Sequence, residues 1–340
     1  MKEVLNREYF GVKAWLYFIP LFVAIIFLLI GSFNDLDISR AVLNQNSALG
    51  IFFEGAGVMI PGFVLTSGGA MLCGALYQRH EKKLTIFGFV LLVLCLIATT
   101  IFCGSYIGDD YGYGPYLGGG NKAIRYLLAF GIAFILQSLA AFLLFFFVFR
   151  KTDPEATLRL GIIILAYAAV EAMLVELLKN CCYRPRFRYL AGYTYDTNGD
   201  YVLAPSGRIN FFRAWYEDWQ WFSKAKYVGT DYPLLLNTVS DAVKSFPSGH
   251  TGFSGLIMFV PMALPLLGVS KEQCKIWQPV AFGLAFALWL FIAFARIRVG
   301  AHFLSDVSFA MVLGSTLVFV CTEATITIEN KIRAKKKIDG

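Results

Sequence analysis

The chain has 340 residues, 57% of them hydrophobic and 16% charged, with 32 Phe and 17 Tyr, and its mean hydropathy is +0.61. Soluble globular chains carry about 25% charged residues, so this composition excludes an ordinary soluble enzyme, a disordered chain and a collagen-like fibre. The formal net charge of +7 lies in short segments between apolar runs, without the continuous basic face that nucleic-acid binding requires.

Runs long enough to cross about 30 Å of hydrocarbon extend over Ala14 to Phe33, Gly55 to Tyr77, Leu84 to Ile107, Tyr126 to Phe149, Gly161 to Leu178, His250 to Gly268, Pro279 to Ala295 and Phe303 to Thr322. They predict an all-α polytopic bundle of eight transmembrane helices, one membrane-embedded domain over residues 1–340. Lys2, Arg7 and Lys13 precede the first run, and Asp35 and Asp37 follow it. Basic residues concentrate on the cytoplasmic side of membranes, so the amino terminus is expected there, as a retained anchor rather than a cleaved signal.

Alternating from that start, sixteen Lys and Arg fall in cytoplasmic segments, five of them in a basic tail at 323–340, against five in the short outer segments. Both termini are thus expected in the cytoplasm. The other nine lie in one long extracytoplasmic loop, 179–246, rich in aromatics. Its stretch Asn210 to Phe222, with Trp215, Trp219 and Trp221, suits a helix lying at the headgroup level. Pro205 to Gly207 reads as a turn, and Gly-rich Asp109 to Gly120 as an outer loop of no assignable function. The chain has seven Cys, of which Cys73, Cys95 and Cys321 fall inside apolar runs and act as small hydrophobes, and adjacent Cys181 and Cys182 have no CxxC or His partner to mark a redox or metal site.

Three pieces carry chemistry, all on the predicted outer face. Lys179, Arg184, Arg186 and Arg188 close the fifth run; they suit a snorkelling basic belt, and equally a set of fixed cations gripping phosphate. Pro247-Ser248-Gly249-His250 opens the sixth run, placing backbone N–H groups, a hydroxyl and an imidazole at a helix start, where anions bind. Arg296, His302 and Asp306 bridge the last two runs. On a helix His302 and Asp306 share a face, which lets Asp306 accept the Nδ1 proton and leaves Nε2 nucleophilic. Two of the three His lie in these pieces; the third, His80, sits in a basic cytoplasmic loop.

These pieces resemble the signature motifs of the type 2 phosphatidic acid phosphatase superfamily of membrane lipid phosphatases. That pattern is Lys, six residues, Arg-Pro; then Pro-Ser-Gly-His; then Ser-Arg, five residues, His, three residues, Asp. Lys179 and Arg186 keep the first spacing, Pro247 to His250 match the second, and Arg296, His302 and Asp306 keep the third. Phe187 stands where the pattern has Pro, and Ala295 where it has Ser.

The resemblance implies hydrolysis of a lipid phosphate or polyprenyl diphosphate through a phosphohistidine. His302 would be the nucleophile, His250 the general acid and base, and Asp306 the orienting group. Lys179, Arg186, Ser248, Gly249 and Arg296 would bind phosphate, without metal or other cofactor. A lipid phosphotransferase, or a non-catalytic lipid-binding or transport protein on the same scaffold, is the alternative. Membrane lipids are the expected surroundings, and the absence of an N-x-[ST] acceptor in the outer loops favours a bacterial plasma membrane.

Overall fold

The computed structural model describes residues 7–109, 114, 117, 120–191, 193–195, 201–203, 212–217 and 242–339. A two-stranded hairpin, β1 (Glu8–Tyr9) and β2 (Val12–Lys13), begins the described chain. Its two turn residues, Phe10 and Gly11, have φ of 53° and 90°, the left-handed pair that a two-residue hairpin loop uses. The chain then enters α1 (Phe18–Val42), α2 (Ala48–Tyr77), α3 (Lys82–Ile107) and α4 (Lys122–Leu143), the last extended by a π-helical turn to Phe149.

Next come α5 (Pro154–Cys182), the short α6 (Phe187–Ala191) and a second hairpin, β3 (Tyr193–Tyr195) with β4 (Tyr201–Leu203). The chain closes with α7 (Gly249–Leu267), α8 (Lys271–Arg298) and α9 (Leu304–Asp339). Among the described residues eight helices are long and apolar enough to cross a membrane. The protein is an all-α polytopic bundle, and two hairpins, which the apolar runs gave no sign of, depart from it among the described residues.

Capping residues set the helix starts. Ser47 accepts from Gly50 N–H, Asn121 from Ala123 and Ile124, and Asp153 from Glu155 and Ala156, with Pro154 just inside the helix. Ser270 and Gln273 form a full capping box at the start of α8. α7 alternates α turns with 3₁₀ turns, because Pro261 and Pro265 remove the donors that would continue an α ladder. α2, α7 and α9 are the most enclosed spans, whereas α1, α3 and α4 turn most of their surface outward, including Phe33 and Leu127. An apolar outer surface is stable only against lipid.

The amino-terminal hairpin docks on the far end of α9, where Arg7 and Tyr9 bind Glu323. Arg159 at the start of α5 binds Glu329 at 2.5 and 2.8 Å, and Arg333 joins the cluster. The expected basic tail is therefore a continuation of α9 through these ion pairs. Lys179 lies twenty residues beyond Arg159 on the same helix, about 30 Å away at 1.5 Å per residue, so the described terminal segments and the candidate site occupy opposite ends of the bundle.

Candidate active site

α5 ends at Tyr183, whose left-handed φ of 47° turns the chain back across the bundle end. The turned strand is stitched on both sides. Arg186 N–H donates to Ala242 O at 2.8 Å, Ser245 N–H to Arg184 O at 3.0 Å, and Arg188 N–H to Gly300 O at 2.8 Å. The two ends of the long loop are thus joined to each other, and the first of them also to the segment between α8 and α9. Phe187, where the family pattern has Pro, starts α6 and packs edge-on against Phe303 at 5.8 Å, so an apolar contact holds the turn.

Ser248 caps α7, its hydroxyl taking Thr251 N–H at 3.4 Å and Thr251 Oγ1 at 3.0 Å, while its own N–H reaches Asp306 O at 3.3 Å. Gly249 is pressed against Lys179: a Cβ added there would lie 3.2 Å from Lys179 Nζ. His250 follows, buried, with Nε2 3.4 Å from Glu54 O and its ring 4.1 Å from that of Tyr106. Arg296, at the end of α8, is ion-paired to Glu54 Oε2. All eight residues singled out from the sequence lie at this one end of the bundle.

His302 differs in one respect from the expectation. Its Nδ1 lies 2.5 Å from Ser245 O and 3.8 Å from Asp306 Oδ2, so a backbone carbonyl, not Asp306, accepts the Nδ1 proton. The physical reason is that α9 begins at Leu304. His302 precedes the helix, and the face-sharing of residues four apart does not apply to it. Asp306 instead takes Phe303 N–H at 2.8 Å, Ser245 Oγ–H at 2.5 Å and Arg184 Nη1 at 2.5 Å, acting on His302 through Ser245. With Nδ1 donating to Ser245 O, the lone pair of the His302 ring sits on Nε2. Burial, then the cations Arg186, Arg296 and Lys179, hold its pKa well below the ordinary histidine value, favouring the neutral form.

Three participants, Asp35, Glu54 and Ser245, were not picked out from the sequence, and Arg184, read there as one of the cations that could grip phosphate, binds carboxylates. Arg184 is fully buried and forks between Asp35 Oδ2 at 2.8 Å and Asp306 Oδ1 at 2.5 Å, with Ser305 Oγ and Arg213 O each at 2.8 Å. Its guanidinium also lies 4.2 Å from the Phe303 ring centre. Asp35 takes Ser305 N–H at 2.9 Å, tying α1 to the first turn of α9. α1 comes close enough that a Cβ on Gly31 would lie 2.6 Å from Ser305 N. Glu54 and Ser245 complete the set. The available signals were charged residues beside apolar runs, at positions 35 and 54, but nothing in spacing pairs them with residues 150 to 250 positions away.

The sequence profile of the PAP2 superfamily matches residues 159–328, from the second turn of α5 into the last third of α9. The chain belongs to the PAP2 superfamily. No curated protein and no solved structure matches it. PAP2 membership indicates phosphatase-type chemistry on phosphate esters, and the eight spans make this a multi-pass membrane member. Asp35, Glu54 and Tyr106 lie before the matched region, so α1, α2 and α3 add their own residues to the PAP2 half.

Within the predicted aromatic stretch, residues 212–217 are described and form a turn rather than a helix. Trp215 donates Nε1–H to Ser32 Oγ at 2.9 Å and stacks on Phe246 at 5.6 Å, packing the loop against α1. Trp219, Trp221 and Pro205 to Gly207 lie outside the described residues, as does most of Asp109 to Gly120.

Proposed function

We propose that this PAP2 protein hydrolyses a lipid phosphate or diphosphate through a phosphohistidine on His302, at the extracytoplasmic face, with both termini in the cytoplasm of a bacterial plasma membrane. The observation that carries the reading is the setting of His302, a buried imidazole whose Nδ1 is engaged by Ser245 O while Lys179, Arg186 and Arg296 face it. A neutral nucleophile surrounded by fixed cations suits attack on an anionic phosphorus centre.

In the first half-reaction His302 Nε2 forms the P–N bond as the P–O bond to the leaving group breaks. His250 gives its proton to the departing oxygen. Lys179, Arg186, Arg296, Ser248 and Gly249 N–H hold the phosphoryl oxygens, whose charge redistributes during transfer. In the second half His250 takes a proton from water, the water oxygen bonds to phosphorus, and the P–N bond breaks to return neutral His302. Asp306 and Arg184 keep the Ser245 segment in place. The lipid part of the reading rests on an apolar cavity within the spans that begins at Lys179 and Gly249. Phosphate release from a panel of lipid monophosphates and diphosphates, against soluble sugar phosphates, tests it. Preferential release from sugar phosphates contradicts the lipid assignment, and transfer of phosphate to an added alcohol in place of water contradicts the hydrolase assignment.

A further inference from the structure

A cavity of about 510 Å³ lies between α3, α5 and α7, with Lys179 and Gly249 at its upper end. Its walls are leucine, alanine and phenylalanine, and Leu94, Ala98, Ala169 and Ala172 along its edge are exposed on the outside of the bundle. In a span, such an edge opens sideways into hydrocarbon. Two carboxylates also line the cavity: Glu176 is exposed and accepts a hydrogen bond from Asn180, whereas Glu171 lies buried among the apolar walls. Glu171 is 3% exposed, and its Oε1 is buried with no hydrogen-bond partner among the described residues.

The depth of that carboxyl is fixed by the glycines of α7. Lys179 rests against Gly249, while a Cβ on Gly252 would collide with Glu171 Oε1. Residues three apart on a helix are separated by about 5–6 Å, so the carboxyl sits one turn deeper in the membrane than the ammonium. A phosphate held at Lys179 therefore puts the first carbons of its ester chain beside Glu171. A buried acceptor without a donor is costly, and a substrate that brings one removes the cost.

We propose that the cavity is the slot for the substrate's hydrocarbon chain and that Glu171 accepts a hydrogen bond from a hydroxyl or ammonium carried two or three atoms from the phosphate ester oxygen. The ligand class is a long-chain phosphate with a free donor beside its headgroup. This inference rests on the lipid-phosphate hydrolase reading and adds to it a specificity residue, Glu171, and a lateral entry between α3 and α5. Glu171 touches the substrate backbone and takes no part in bond breaking.

The test compares the full-length protein on two compounds of equal chain length, a monoacyl glycerol phosphate with a free secondary hydroxyl and its deoxy counterpart, with butyl phosphate as a short reference. A site built around a polar group rejects the analogue that lacks it, and leaving a buried acceptor unpaired corresponds to about 10-fold or more in kcat/KM. The wild type is expected to prefer the hydroxyl compound by at least about 10-fold. Glu171→Leu, and its near-isosteric companion Glu171→Gln, are expected to shrink that ratio to about 3-fold or less, a ratio readable on residual activity. Ala98→Trp, at the exposed edge of the slot, is expected to slow both long-chain compounds at least about 10-fold relative to butyl phosphate.

An unchanged hydroxyl-to-deoxy ratio in both Glu171 variants overturns the recognition role, and equal slowing of long and short chains by Ala98→Trp overturns the slot. If the wild type cleaves none of the three, the hydrolase reading itself fails. Thermal shifts given by the matching non-hydrolysable phosphonates then decide the subsite alone, with equal shifts from the hydroxyl and deoxy forms overturning it.

Discussion

Arg184 is one link between the amino-terminal helices and the PAP2 half, and replacing it with Met tests that link. The side chain is 1% exposed and makes hydrogen bonds to Asp35, Asp306, Ser305 and Arg213 O. Met keeps most of the volume and some of the contact with Phe303, so the loss is chiefly electrostatic. It leaves two buried carboxylates, Asp35 and Asp306, facing each other without a cation. Breaking a buried ion pair by removing one partner costs about 3–5 kcal/mol, whereas a solvated pair is worth about 0–1 kcal/mol. Equilibrium unfolding in mixed micelles of rising SDS fraction should place Arg184→Met in the first range. Adding Asp35→Leu should recover part of the loss, because one orphaned carboxylate is then gone. A single variant within about 1 kcal/mol of wild type, or a double variant less stable than the single by the full Asp35→Leu cost, would refute the reasoning.

Glu54→Leu should destabilise by a similar about 3–5 kcal/mol, since Arg296 is buried against that carboxylate, and unfolding in the same micelles measures it. The pH profile of kcat/KM, corrected for ionisation of the substrate, should keep its acid limb below the ordinary histidine value of about 6.5. Protonating Nε2 removes the nucleophile as pH falls through the His302 pKa, and that pKa is depressed; a limb at or above 6.5 contradicts the assignment. Tyr216 is 51% exposed and the seven native Cys are all buried, so Tyr216→Cys in intact cells should be labelled by an impermeant thiol reagent. Labelling only after the inner face is opened would invert the proposed orientation.

Most of the spans were legible because hydrocarbon imposes one rule, about 20 apolar residues per crossing, and eight runs obey it. The three motif pieces were legible because each is contiguous and holds residue types that apolar helices otherwise avoid. Four things were not. The Asp306–His302 contact failed because helical spacing was applied to a residue one position before the helix cap. Asp35 and Glu54 were missed because a buried ion pair is a tertiary fact; their partners Arg184 and Arg296 lie far away in sequence, and each acid alone reads as the polar end of a span. Glu171 sat inside a run long enough to absorb one charge. The amino-terminal hairpin was hidden by its size, since two-residue strands leave no alternation to read, although Gly11 is a turn residue in hindsight of its φ.

The central claim is that His302 becomes covalently phosphorylated. Rapid acid-free quenching of the purified protein with a ³²P-labelled lipid phosphate, followed by peptide mapping, tests it most directly. The account predicts a base-stable, acid-labile label on the peptide containing His302, absent from His302→Ala, which should also lose turnover by about 10²-fold or more. Turnover of His302→Ala within a few-fold of wild type, or a label that persists on another residue in that variant, would contradict it.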